Sequence, residues 1–199
     1  MDVGIVARHA ESEFSVRGTV NGDPAIAGGG LTDIGRRQAE ALGVLLAGET
    51  IDLCVTTEFA RTRETADIVL DDRPVPRLVV PELNDIRFGR YEGRTLEDYR
   101  RWAQVGLPAE ECPGGGESRS AAARRFARGF EIVLARTEPT ILIITHVLPI
   151  RYLLGALEGR DPAQRVEPVT YAHPYRILAG DLERAVERLG RWADSPAFA

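Results

Sequence analysis

Apolar and polar positions fall into short blocks whose period changes along the chain. Val3-Gly4-Ile5-Val6-Ala7 is brief, apolar and rich in β-branched residues, so it reads as a strand buried on both faces, and it stops abruptly at Arg8-His9-Ala10-Glu11-Ser12. Residues Glu13–Gly30 are polar and Gly-rich, a long connection that either walls a pocket or makes a surface excursion. Thr32 caps a helix whose apolar face is Ile34, Ala41, Leu42, Leu45 and Leu46, with Gly48 as the stop. Ile51–Val55 is a second strand, handing over through Thr56-Thr57-Glu58-Phe59-Ala60-Arg61 to a helix that carries Ile68, Val69 and Leu70. Arg77–Val80 is a short third strand and Pro81–Gly93 a loop holding Glu82, Asp85 and Glu92. Helix character returns at Thr95–Gln104, a Pro/Gly loop spans Gly106–Gly116, and a long helix covers about Ser120–Arg136. A fourth strand, Ile141–Thr145, runs straight into His146 and a helix bearing Ile150, Leu153, Leu154 and Leu157. Val166–Tyr171 and Tyr175–Leu178 are further expected strands, and Asp181 is the expected cap of a last helix with Leu182, Ala185, Val186 and Leu189 inward. The recurring strand-then-helix order predicts an α/β fold, a mostly parallel central sheet with helices on both faces.

Composition narrows the class of protein. A chain of 199 residues, 44% hydrophobic and 28% charged, is expected to form one domain over residues 1–199 with a core large enough to need no staples. No apolar run reaches the length of a membrane span and the first residues lack a leader pattern, so a cytoplasmic protein with no membrane partner is expected. The net charge of -5 argues against nucleic acid. All 25 basic residues are Arg; that reads as genome composition, so only arginines at strand ends carry functional weight. Cys54 and Cys112 have neither disulfide nor metal-ligand spacing, and no metal or cofactor is expected.

Open α/β sheets bind ligands beyond the carboxyl ends of their strands. Arg8 with His9, Arg61, and His146 all fall at such ends, and Asp85 in an adjoining loop. Taken alone, Arg61 and Arg63 read as pairing with Glu58 and Glu64 on a solvated surface, and Arg-His-x-Glu could as well be a polar loop.

Six segments together carry a resemblance. V-A-R-H-A-E-S opens the chain, L-T-D-I-G-R-R-Q-A spans Leu31–Ala39, T-T-E-F-A-R-T-R-E-T-A spans Thr56–Ala66, and L-N-D-I-R-F-G-R-Y-E-G spans Leu83–Gly93. G-G-E-S at Gly115–Ser118 and I-I-T-H-V at Ile143–Val147 complete the set. In this order they make the chain, from about Val3 to Leu157, similar to the histidine phosphatase superfamily, the branch that includes cofactor-dependent phosphoglycerate mutases. The resemblance implies a three-layer α/β/α sandwich, phosphoglycerate mutase-like, and a metal-independent phosphomonoesterase acting on a small phosphorylated substrate.

It implies also that His9 attacks phosphorus to give a phosphohistidine, while Arg8, Arg61 and His146 hold the phosphoryl oxygens. Asp85 occupies the family's acid position and is expected to act as general acid and base, with Glu82 in reserve. The family's usual Gly is Ala10 after the first histidine and Val147 after the second, while Ser15 stands where relatives often carry Asn near the phosphate. These departures imply an altered substrate fit. They leave a non-catalytic phosphate binder open beside the phosphatase, as is a mutase, although the span from Asp85 to His146 is short for one. Arg17, Arg87, Arg90 and Arg94 are available for a second anionic group, His173 has no catalytic counterpart, and a homodimer stays open because the last helix could cover a neighbour's sheet.

Overall fold

The computed structural model describes residues 1–199. Five strands form one sheet: β1 (Val3–Arg8), β2 (Leu53–Thr56), β3 (Arg77–Val79), β4 (Thr140–Thr145) and β5 (Pro174–Leu178), in the order β3-β2-β4-β1-β5. All neighbouring pairs are parallel except β1 with β5. Seven helices surround it: α1 (Glu13–Val16), α2 (Asp33–Leu45), α3 (Ala60–Leu70), α4 (Leu96–Ala103), α5 (Arg119–Leu134), α6 (Val147–Leu157) and α7 (Ala179–Asp194).

Alternation along the strands divides the core into two layers. Ile5 and Ala7 of β1, with Leu142 and Ile144 of β4, bury against α2 and α3 through Leu42, Ala66 and Val69. Val6, Ile141 and Ile143 face the other way, onto Phe126 and Phe130 of α5, Leu153 of α6 and Leu189 of α7. The architecture is therefore the expected α/β/α sandwich with a mostly parallel sheet.

Three expectations need correction. Of the apolar face expected for α2, Leu42 and Leu46 are buried but Ile34, Ala41 and Leu45 are exposed, because the helix turns Gly35, Ala39 and Leu42 to the core. Val166–Tyr171 forms no strand; only Tyr171 bridges to Arg8, because Pro168 supplies no N–H for a ladder and β5 takes the free edge of β1. Asp181 is not the cap of α7, which begins at Ala179 directly out of β5 with Leu178 at the cap position and no side-chain cap. Asp181 lies in the first turn and pairs with Arg184.

The topology positions the site through register. Arg8 at the end of β1 lies beside Thr145 at the end of β4, and the His9 N–H donates to the Thr145 carbonyl at 2.9 Å. His9 and His146 are thus brought to one level by the two central strands.

Candidate active site

Beyond these strand ends lies a cavity of about 840 Å³, and His9, Arg8, Arg61 and Asp85 line its polar end. The His9 and His146 rings meet edge to face, their centroids 5.3 Å apart. His9 Nδ1–H donates to the Ala10 carbonyl at 2.8 Å, which leaves the Nε2 lone pair without a hydrogen bond. Burial, reinforced by the charges of Arg61 and Arg8, pulls the His9 pKa well below the usual imidazole value and keeps the ring neutral. The same causes, burial first and Arg61 second, depress His146.

Arg61 is held where a flexible surface arginine would never stay. Only 4% exposed, it donates from Nη1 to Asn21 Oδ1 at 2.7 Å, from Nη2 to the Asn21 carbonyl at 3.1 Å, and from Nη2 to His146 Nδ1 at 3.2 Å. His146 Nε2–H then donates to Thr57 Oγ1 at 3.0 Å. Glu58 pairs with Asn84 and Glu64 with Arg36 and the Leu31 N–H, so the surface pairing of Arg61 does not occur. Burial lowers the Arg61 pKa to about 10, while Asp85, its Oδ2 3.6 Å away, opposes the shift.

Arg8 donates from Nη1 to the Val169 carbonyl at 2.8 Å and stacks on Tyr171, its guanidinium carbon 3.6 Å from the ring centroid. Its Nε–H is buried and has no partner, a donor that a phosphoryl oxygen would satisfy. Asp85 is 20% exposed, with Oδ2 3.8 Å from His146 Nδ1. Burial raises its pKa above the ordinary value, against the pull of Arg61. A carboxyl that keeps its proton more readily beside two cations suits proton donation.

The flanking motifs explain themselves as supports. Thr32 caps α2, and Gly35 passes so close that a Cβ there would meet the Glu11 carbonyl at 2.0 Å, which presses the start of α2 against the His9 loop. Thr65 Oγ1 accepts from the Ala10 N–H at 3.0 Å. Glu117 of the G-G-E-S segment binds Arg125, which donates to the carbonyls of Glu82, Asn84 and Asp85 and so fixes the acid loop. A Cβ at Gly22 would lie 2.0 Å from the Ile86 carbonyl; this close approach brings the Asn21 loop against the Asp85 loop.

Of the remaining expected residues, Ser15 and Val147 line the cavity, and Ser15 Oγ is 2.9 Å from Ser12 Oγ. Glu82 sits in a turn outside the cavity lining, as do Arg17, Arg87, Arg90 and Arg94. His173 is exposed against Tyr175. The connection Glu13–Gly30 is a pocket wall, contributing Phe14, Ser15, Val20 and Asn21. Asn21, Thr57 and Tyr171 escaped the sequence reading; the Thr56-Thr57 pair at a strand end was the one local signal. No group of three or more His, Cys, Asp or Glu side chains is placed to hold a metal ion, and no helix is long and apolar enough to cross a membrane.

Comparison with known proteins adds the family. A model described as the histidine phosphatase superfamily (branch 1) matches residues 5–192. The adenosylcobalamin/alpha-ribazole phosphatase of Escherichia coli (strain K12) is 32% identical over 165 residues, 76% of this chain and 77% of that protein. A 2,3-bisphosphoglycerate-dependent phosphoglycerate mutase of Brucella melitensis biotype 2 is 29% identical over 176 residues, 80% of this chain and 83% of that protein. The crystal structure of the alpha-ribazole phosphatase from Shigella flexneri aligns with a TM-score of 0.73 at 28% identity, covering 88% of this chain and 89% of that one. With the match running from the first strand into the last helix, across every charged residue at the polar end of this cavity, the chain belongs to the histidine phosphatase superfamily and is a phosphatase.

Proposed function

We propose that the chain is a cytoplasmic phosphomonoesterase that cleaves a small-molecule phosphate ester through a phosphohistidine on His9, with residues 1–199 forming one catalytic domain. The observation that carries this reading is the fixed tautomer of His9: Nδ1–H is committed to the Ala10 carbonyl, and the neutral Nε2 carries a free lone pair beside two arginines.

In the first step Nε2 attacks phosphorus, the P–O ester bond breaks, and the Asp85 carboxyl gives its proton to the leaving alkoxide. In the second, the Asp85 carboxylate takes a proton from water, the water oxygen bonds to phosphorus, the P–N bond breaks and inorganic phosphate leaves. Arg8 and Arg61 neutralise the charge spread over the equatorial oxygens in both steps. Once Arg61 turns to the phosphate, His146 donates from Nδ1 while its Nε2 accepts from the Thr57 hydroxyl. The uncapped start of α6 beside it adds a field that favours an anion.

The test is hydrolysis of para-nitrophenyl phosphate in EDTA by the wild type and His9→Ala, with trapping of the phosphoprotein. Turnover that vanishes in His9→Ala and an acid-labile, base-stable phosphoprotein in the wild type are expected. Undiminished turnover in His9→Ala would overturn the proposal. Phosphoryl transfer between phosphoglycerates outrunning hydrolysis would favour the mutase reading, for which the Brucella relative speaks.

A further inference from the structure

The cavity is far larger than a phosphate, and its lining includes two polar groups that the proposed chemistry leaves idle. Arg119, at the start of α5, is 5% exposed yet pairs with no carboxylate. Its Nε donates to the Tyr152 hydroxyl at 2.5 Å, its Nη2 weakly to the Ala163 carbonyl at 3.4 Å, and its Nη1 to nothing. Guanidinium groups taken out of water are ordinarily matched by an anion, because neutral partners recover only part of the lost hydration. Tyr99 of α4 is 6% exposed, and its buried hydroxyl has no hydrogen-bond partner at all. Both residues line the cavity, with Phe88 and Leu148 among its apolar lining. Phe88 packs edge to face on Tyr99 at 4.7 Å and fixes its ring. The two groups also sense each other: burial pushes the Tyr99 hydroxyl pKa up, and Arg119 is the strongest charge opposing that rise.

We infer that Arg119 and Tyr99 form a distal subsite for a second anionic oxygen group, so that the substrate is a phosphate monoester whose leaving alcohol carries a carboxylate or another phosphate at its far end. The subsite rests on the proposed phosphatase chemistry for its orientation, with the scissile phosphate at His9 and the alcohol running toward α4 and α5. A neutral acceptor would silence the Tyr99 hydroxyl but leave the buried cation unpaired. An anion satisfies both. Arg100 and Arg165, exposed in the same cavity lining, are offset by Glu97 and Glu167, the latter 3.4 Å from Arg165, so the anion preference rests on Arg119.

The experiment compares phosphooxyhexanoate, its methyl ester and hexanediol bisphosphate as substrates for the wild type, Arg119→Gln and Tyr99→Phe, with para-nitrophenyl phosphate as the reference ester. The expected result is a kcat/KM for one or both substrates with a far-end anion about tenfold above that for the methyl ester, the better of the two identifying the anion. That ratio falls to near one in Arg119→Gln and by about fivefold in Tyr99→Phe, which removes only an oxygen and keeps the ring packing if the arginine variant does not fold. Calorimetric binding of the same compounds reads the preference without turnover. Wild-type hydrolysis of para-nitrophenyl phosphate with no preference for the anionic compounds, or a preference that survives in both variants, overturns the subsite and leaves the phosphatase standing. Absence of all hydrolysis, with the binding preference present and lost in the variants, overturns the proposed chemistry and leaves the subsite standing; absence of both overturns both.

Discussion

Asn21 grips Arg61 at two points, accepting from Nη1 on its side-chain oxygen and from Nη2 on its backbone carbonyl. The guanidinium is thereby held against His146 before any substrate arrives. Replacing Asn21 by Ala leaves the backbone contact and removes the side-chain one, so a buried charged donor loses its shortest neutral partner. About tenfold is expected to be lost from kcat/KM toward any phosphate ester, with inorganic phosphate inhibiting more weakly by a similar factor. Steady-state kinetics with phosphate as inhibitor checks it, and unchanged constants would mean that the backbone carbonyl alone suffices.

Thr57 accommodates either tautomer of His146. With its hydroxyl 3.0 Å from Nε2 it can accept from or donate to the ring, so the tautomer can follow the arrival of phosphate. Thr57→Val takes that adaptability away and locks Nε2 without a donor. A fall of about tenfold in kcat is expected, with little change in kcat for Thr62→Val, whose hydroxyl reaches Thr57 but not His146. Equal losses in the two variants would point to packing rather than tautomer control.

How much of this was legible in the sequence depended on how local each cause was. The runs Val3–Ala7 and Ile141–Thr145 announced strands because both faces are buried, and the charges that end them fell at one level because adjacent parallel strands share a register. Asn21 was illegible, since it sits in a polar loop without periodicity and owes its role to an arginine forty residues on. Nothing in the sequence singled out Arg119, which lay just before the expected helix; it packs against Tyr152 and against Phe198 near the far end of the chain. The false strand at Val166–Tyr171 arose from reading β-branched residues without giving Pro168 its weight, and the misplaced cap at Asp181 from expecting a loop where β5 runs unbroken into α7.

Both histidines should titrate below the usual imidazole value of 6.5. A depressed histidine pKa means that the unfolded chain binds protons more readily than the folded one. Its influence on stability is therefore absent above pH 6.5 and grows as a loss when the pH falls below that value. NMR titration of the His9 and His146 ring protons in the free enzyme is expected to show both unmoved at pH 6.5. Normal titration of both rings would remove the basis for a neutral nucleophile.

Asp85→Asn preserves shape and deletes the transferable proton. Alkyl phosphates, whose leaving alkoxides need that proton, should slow about a hundredfold or more, and para-nitrophenyl phosphate much less in its first step. The slope of log kcat/KM against leaving-group pKa is the measurement. Glu82→Gln, altering a residue outside the cavity lining, is expected to leave that slope unchanged. The opposite pattern would transfer the acid role to Glu82.

Glu117 and Arg125 hold the acid loop without touching the cavity's polar end. Glu117 is buried, and burial alone would raise its carboxyl, but the hydrogen bond and charge of Arg125 outweigh that and hold it below its ordinary value of 4.5. A depressed carboxylate stabilises the fold above the unfolded pKa and loses that contribution as the pH falls through the folded one. Glu117→Gln should therefore cost about 2 kcal/mol near neutrality and make the thermal midpoint less sensitive to acid below pH 4.5. Arg125→Met goes further, leaving the Glu117 carboxylate buried without its partner and three loop carbonyls without their donor; a loss of about 3–5 kcal/mol is expected. Because both residues act through Asp85, the surviving folded enzyme should also show a steeper dependence on leaving-group pKa than the wild type. A stability loss with no change in that slope would make the pair a structural clamp alone, whereas a changed slope ties the G-G-E-S segment to proton transfer.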